Sequence, residues 1–300
     1  MSGDKETQPV LFNYLKFQKA VNVASVPQRS PFRYPGGKTW LVPHIRAWLR
    51  SLSPKATTLV EPFAGGAIVS LTVAAEGLAE HVVMIELDHQ VASVWTTIIN
   101  DDGGGEWLAQ QILGFRISRE TVEEVLNTPP RSTRELAFQT ILKNRVYHGG
   151  ILAPGSAPLK YGENGRGIAS RWYPETLARR IRNIVLFRSK ITFIEGDGLE
   201  YMASDPSLPD TAYFIDPPYT AGKKSAGKRL YTHYLLDHKR LFDLTARLGG
   251  PFLMTYDDDP AIIELATAHR FAWIKVAMMN THHANMMELL ISRDLSWAQG

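Results

Sequence analysis

There is no cysteine in these 300 residues, which excludes disulfides, thiolate metal sites and cysteine nucleophiles. Nor does any apolar run approach the ~20 residues that a membrane-spanning helix needs. Residues 1–8 are polar and mixed in charge, with no apolar h-region, so no secretory signal is expected. Charge of one sign is also scarce: the net is +3. That balance permits a nucleic-acid partner without demanding one, so local clustering must carry any such argument. Internal repeats and low-complexity tracts are missing. What is left is a chain able to bury a sizeable core, of one large domain or one and a half. It is expected in the cytoplasm, with no membrane partner.

Apolar runs alternate with helical patterns. Residues 40–49 are amphipathic. Thr58-Leu59-Val60-Glu61 predicts a short buried strand, 68–76 a helix closed by Gly77, and Val82-Val83-Met84-Ile85 a second strand. The run Asp101-Asp102-Gly103-Gly104-Gly105 reads as a boundary loop. Residues 107–144 are mostly helical, with a break at 128–130. Residues 149–171 are irregular and rich in Gly, Pro, Ser and basic side chains, a kind of stretch that is usually functional or disordered. A helix follows over 174–188, with Pro174 in its first turn. Strands are expected at 191–194, 212–215, 252–256, 273–279 and 288–292. This alternation predicts a mainly parallel, doubly wound α/β sheet, its last two strands an antiparallel hairpin. The simplest division is a leader (1–30), a catalytic domain (31–100 with 188–297) and a mostly helical insertion (101–187).

Three short motifs carry chemistry. Asp216-Pro217-Pro218-Tyr219 follows the apolar run Ala212-Tyr213-Phe214-Ile215, at a strand's carboxyl end, where open α/β sheets bind ligands. The prolines fix φ and lack N–H donors, Asp216 accepts hydrogen bonds, and Tyr219 offers a face for a flat ring. A planar substrate bearing an NH2 group needs such a site; an ordinary Asp-Pro turn reads the same way. Between the first strand and its helix lies Pro62-Phe63-Ala64-Gly65-Gly66-Ala67. Glycines let backbone approach a ligand, and a helix N-terminus offers N–H groups; a plain helix-packing turn is the alternative. Glu86 ends the second strand, 21 positions after Gly65, a spacing that suits ribose hydroxyls. G-x-G-x-x-G is absent and no phosphate-gripping Lys-Ser/Thr follows, which counts against NAD and ATP. A nucleoside with an amino-acid tail, such as S-adenosylmethionine, fits better. Upstream, Tyr34-Pro35-Gly36-Gly37-Lys38 pairs a Gly-Gly turn with a lysine able to neutralise a carboxylate; it is otherwise a loop before a helix.

In this order, the motifs resemble the Dam-like DNA adenine-N6 methyltransferases, the α-group or D12 class. Lys143-Asn144-Arg145-Val146-Tyr147-His148-Gly149-Gly150 resembles that family's Asn-Arg-x-x-aromatic-x-Gly segment. Ile194-Glu195-Gly196-Asp197 and Glu288-Leu289-Leu290-Ile291 resemble two of its strands. The resemblance runs from about 32 to 293. The turn reads Ala64-Gly65-Gly66-Ala67 where relatives often have Gly-x-Gly, and Glu86 stands in place of Asp; both departures are chemically mild.

The resemblance implies a Rossmann-like doubly wound methyltransferase sheet with a C-terminal antiparallel hairpin, and an insertion that recognises the target. It implies S-adenosylmethionine as donor, S-adenosylhomocysteine as product and no metal. The substrate would be an adenine flipped out of double-stranded DNA, since an enzyme pocket cannot reach N6 within the stack. Asp216 and the Pro217 carbonyl would hold the two N6 hydrogens, with Pro218 and Tyr219 completing the catalytic loop. Tyr34, Gly37 and Lys38 would surround the methionine end of the cofactor. Residues Pro62, Phe63, Ala64, Gly65 and Gly66 would lie against it, Glu86 would hold the ribose and Asp197 the adenine amino group; Asp216 would also touch it. Tyr34 is alternatively a packing aromatic, and Asp197 a helix cap. For DNA, Lys223, Lys224, Lys228 and Arg229 would grip phosphates, unless their loop is merely solvated. Asn144 and Arg145 reach base edges or backbone, or else cap their helix and hold the insertion in place. Arg166, Arg171, Arg179, Arg180 and Arg182 add basic character. His282 and His283 are adjacent in an extended segment, so their side chains face opposite ways and do not suggest a metal site. RNA adenine, cytosine N4 and a protein glutamine are rival substrates for such a loop. A non-catalytic DNA-binding homologue is a rival of another class, against which the intact Asp216 and Tyr219 speak. A restriction or defence system is an optional partner.

Overall fold

The computed structural model describes residues 23–34, 36–160, 167–204, 208–218, 235–279 and 285–299. Residues 1–22 of the leader, Arg166, Tyr219, Lys223, Lys224, Lys228, Arg229, His282 and His283 lie outside the described residues.

Seven strands form one sheet: β1 (Thr58–Glu61), β2 (His81–Glu86), β3 (Ile191–Glu195), β4 (Thr211–Ile215), β5 (Phe252–Asp257), β6 (Ala272–Met279) and β7 (Asn285–Ser292), in the order β3-β2-β1-β4-β5-β7-β6. The β1–β2, β1–β4, β2–β3 and β4–β5 pairs are parallel, while β7 is antiparallel to both β5 and β6. This is the expected α/β doubly wound sheet with its terminal hairpin. The strand order reverses between β1 and β4, and that switch point is where ligands enter such sheets.

Successive strand residues feed opposite faces, as a period of two requires. Leu59, Ala212 and Phe214 join one apolar cluster; Val60, Tyr213 and Ile215 join the other. The first cluster is covered by α1 (Val42–Ser51), α2 (Ile68–Glu76), α3 (His89–Trp95), α4 (Gly104–Gly114), α5 (Arg119–Asn127), α6 (Thr133–Val146) and α7 (Pro174–Val185). The second is covered by α8 (Gly198–Ser204), α9 (His238–Arg247) and α10 (Pro260–Ala268). Residues of the insertion, among them Leu108, Ile141 and Ile181, belong to the same cluster as Leu59 and Val69 of the sheet and its helix. The insertion is therefore packed onto the sheet's own core.

Two local expectations change. The boundary loop ends at Gly103, and Gly104 and Gly105 open α4. A Cβ on Gly105 would sit 2.5 Å from a Val185 methyl group, so this glycine serves the close approach of α4 to α7 rather than a loop. The helical stretch after it breaks at 115–118 as well as at 128–132. There Ser118 caps α5 by accepting from the Thr121 N–H, and Ser132 caps α6 by accepting from the Glu135 N–H. Among the described residues no helix is long and apolar enough to cross a membrane.

Candidate active site

The carboxyl ends of β1, β2 and β4 open onto a cavity of about 830 Å³. Tyr34, Gly37, Lys38, Pro62, Phe63, Ala64, Gly65, Gly66, Glu86, Asp197, Asp216, Pro217 and Pro218 all line it. Segments far apart in sequence thus meet in one space.

Each is held by a local cause. β1 ends in Glu61, and the turn after it carries Gly65 at φ +48°. The Tyr34 ring lies directly on this turn: a Cβ on Gly65 would come within 2.6 Å of Tyr34 Cε1, and one on Gly66 within 2.8 Å of Tyr34 Cβ. Tyr34 therefore packs against the glycines and also faces the cavity. The turn is fastened from two further sides. Gly65 N–H donates to Glu86 Oε2 at 2.7 Å, and Trp95 Nε1 donates to the Gly65 carbonyl at 2.9 Å. Glu86 Oε1 accepts from the Asp88 N–H at 2.8 Å. A carboxylate has about four acceptor sites, so these bonds leave capacity for a hydroxyl. Asp197 accepts from the Leu199 N–H at 2.7 Å, capping α8 while lining the cavity.

Lys38 does neutralise a carboxylate, and it is the protein's own. Its buried Nζ lies 2.9 Å from Asp216 Oδ1 and 3.8 Å from Glu288 Oε2, and donates to the Gly36 carbonyl at 2.7 Å. Register explains the next contact. Ile215 pairs with Met254, so Asp216 falls beside Thr255, whose hydroxyl donates to Asp216 Oδ1 at 2.7 Å. Lysine and threonine converge on one oxygen and fix the carboxylate's orientation. Glu288 arrives there because β7 runs antiparallel and pairs it with Asp257 at the end of β5.

The acids of this wall are strongly desolvated. Burial pushes the Glu61 carboxyl up to about 8 against the opposing hydrogen bonds from Ser70, with Asp216 and Glu86 adding repulsion. Burial likewise raises Glu86 to about 7, against hydrogen bonds from the Asp88 and Gly65 N–H groups. Sequence reading passed over Glu61, Thr255 and Glu288 as site residues. Their signal was a lone polar residue within, or at the end of, a strand otherwise buried.

Asn144 and Arg145 are engaged within the protein. Asn144 is wholly buried; its Oδ1 accepts from the Arg33 N–H at 2.9 Å, and its Nδ2 donates to the carbonyls of Arg33 (2.9 Å) and Gly150 (2.7 Å). This ties the end of α6 to the Tyr34 segment, the placement of a strut rather than of a base reader. Arg145 donates to the Pro31 carbonyl and faces the cavity.

Residues 34–129 match the family model of the D12 class N6 adenine-specific DNA methyltransferases. The resemblance read from the motifs is borne out over that stretch, and family and fold together support a methyltransferase and imply S-adenosylmethionine as its donor. No curated protein matches the chain. Among solved structures, the chain is distantly similar to a candidate RNA methyltransferase from Pyrococcus horikoshii (10% identity, TM-score 0.39, covering 87% of this chain and 84% of that one). It is similar too to the rRNA methyltransferase aviRa from Streptomyces viridochromogenes (12%, 0.37, 87% and 87%). A third is the precorrin-6y C5,15-methyltransferase from Geobacter metallireducens (11%, 0.35, 84% and 85%).

Proposed function

We propose that the protein is a DNA adenine-N6 methyltransferase that acts on an adenine flipped out of duplex DNA. The observation that carries this reading is the clamped Asp216, held by Lys38 and Thr255 at the mouth of the cavity shared with the glycine turn. The lone pair of adenine N6 is delocalised into the ring. An enzyme that holds both N6 hydrogens localises and aims that pair, and such positioning contributes roughly 7–11 kcal/mol in the best cases. Asp216 would accept one hydrogen and the Pro217 carbonyl the other; the rigid Pro217-Pro218 pair keeps the two acceptors in register. Tyr219 would stack on the base, a contact worth about 1–3 kcal/mol.

The cavity fits the donor. A buried acid with acceptor capacity to spare, beside a glycine turn, suits a ligand that carries ribose hydroxyls. S-adenosylmethionine, when bound, supplies an electrophilic methyl group. Glu86 would hold the ribose, Gly65 and Gly66 would admit the chain of the ligand, and Asp197 would meet the adenine. A cytoplasmic location follows from the same reading, and a restriction or defence system would be a natural partner. The test is methyl transfer from labelled cofactor to duplex DNA, RNA and protein, followed by analysis of the modified base. N6-methyladenine in DNA is the expected product; label confined to RNA or protein would overturn the reading.

A further inference from the structure

The acids on the sheet side of the cavity are held in two ways. Glu61 is bonded by the Ser70 N–H and hydroxyl, and Glu86 by the N–H groups of Gly65 and Asp88. Asp216 and Glu288 instead share a cation. Lys38 Nζ lies 2.9 Å from Asp216 Oδ1 and 3.8 Å from Glu288 Oε2, with the Gly36 carbonyl as a third neighbour at 2.7 Å. The side chains of Lys38 and Glu288 are each 3% exposed, whereas that of Asp216 is 20% exposed. All three line the cavity, so two covered groups stand behind the one that opens onto it. Methyl transfer as read above makes no use of Glu288.

A buried charge needs a partner, and an acid on a β-strand is there at a cost unless it has one. An ammonium that faced Asp216 alone would cancel most of its charge, and a hydrogen bond to a cancelled charge is weaker than one to a free carboxylate. A second carboxylate beside the same ammonium has two effects. It draws Lys38 part of the way off Asp216, and, with both acids ionised, it leaves the three side chains one net negative charge. Strand register holds the arrangement still. Glu288 pairs with Asp257 of β5 and with Val276 of β6, and Thr255, two residues before Asp257, donates to Asp216 Oδ1. We propose, resting on the role read above for Asp216, that Glu288 is a positioning residue. It acts through Lys38 to aim Asp216 and to keep it a strong acceptor for the target amino group.

The test is a double-mutant cycle on the full chain: wild type, Glu288→Gln, Lys38→Met and the two together. Single-turnover transfer of labelled methyl to duplex DNA gives the rate, titration with DNA gives KM, and calorimetry gives S-adenosylmethionine affinity. Glu288→Gln keeps the volume and removes the charge. Its rate should fall about ten- to a hundredfold, as for a misplaced reacting group, with KM for DNA and cofactor affinity unchanged. Glu288→Asp keeps the charge and should recover part of that loss. In the Lys38→Met background Glu288→Gln should bring no further loss, because residues that act as one unit are not additive. Additive losses overturn the proposal. So does a loss of cofactor affinity that matches the loss of rate, the mark of a structural role, and so does a wild-type rate in folded Glu288→Gln. Should Glu288→Gln not fold, Glu288→Asp reads the same split: a lowered rate with cofactor affinity kept supports the assignment, and a wild-type rate overturns it. Full activity of Asp216→Asn would instead defeat the reading of Asp216, so the two failures are distinguishable.

Discussion

Toward the sheet, the cavity presents Glu61, Glu86 and Asp216 at or beyond strand ends, with Glu288 and Lys38 among them; toward the insertion it presents Arg33, Arg145, Arg171 and Arg180. Burial takes Glu61, Glu86 and Arg145 out of water, and Arg33 and Arg180 in part, yet acids and arginines are stabilised differently. The acids are answered in place, by the N–H groups of Gly65, Asp88 and Ser70, by hydroxyls and by one ammonium. Arg145 and Arg180 meet main-chain carbonyls, which satisfy donors without cancelling charge. A wall satisfied by its own protein is preorganised for chemistry. Arginines met by carbonyls are satisfied as donors and keep their charge.

The sharpest way to break this comparison is Asp216→Asn. The carboxylate's charge and acceptor pattern are lost, and kcat should fall at least about a hundredfold. Single-turnover transfer of labelled methyl to DNA measures it, and near-normal turnover by a folded variant would remove the acid wall from the chemistry. Glu86→Ala follows. It deletes the acceptor for Gly65 N–H, so cofactor affinity by calorimetry should drop roughly ten- to a hundredfold, as for a lost charge-assisted hydrogen bond. Hydrogen exchange at Gly65 should quicken as well. Thr255→Val keeps the shape of β5 and removes one of the contacts that orient Asp216. We expect about a tenfold lower kcat with cofactor affinity unchanged; a matching loss of affinity would make Thr255 structural instead.

The smallest effect is on stability. Glu61 and Glu86 hold their protons to about pH 8 and 7 in the folded chain, whereas the unfolded value is 4.5. Between those limits the folded state binds more protons than the unfolded state, so stability falls as pH rises. The contribution is fully present below the unfolded value and is lost as pH climbs through the folded ones. Denaturant melts from pH 5 to 8 should show the decline, and Glu61→Gln should make it shallower over that window. An unchanged slope would mean that Glu61 is ionised in the folded protein.

The strands were legible because apolar residues such as Leu59-Val60 and Phe214-Ile215 leave no other use for such short runs. The glycine turn, Glu86 and Asp216 were legible because each stands where a strand must stop. Other features were decided by tertiary contact. Gly104 and Gly105 look like loop residues until Asp101 and the Thr97 carbonyl close on the first and α7 packs onto the second. Thr255 and Glu288 become neighbours of Asp216 only through strand register. Arg33 and Arg180 are separated by most of the insertion, and nothing local to either announces that they will share a wall.

The seat of Tyr34 on Gly65 and Gly66 has a consequence for rebuilding the molecule. Two stretches of chain some thirty residues apart behave there as one interchangeable part. A turn with a side chain at 65 or 66 cannot be transplanted from a relative unless the aromatic above it is exchanged at the same time. Such a turn grafted alone would displace Tyr34 from its seat, and the neighbouring Lys38, which steadies Asp216, would feel the shift. Design that aims only at the glycine turn would therefore reach the Asp216 loop as well.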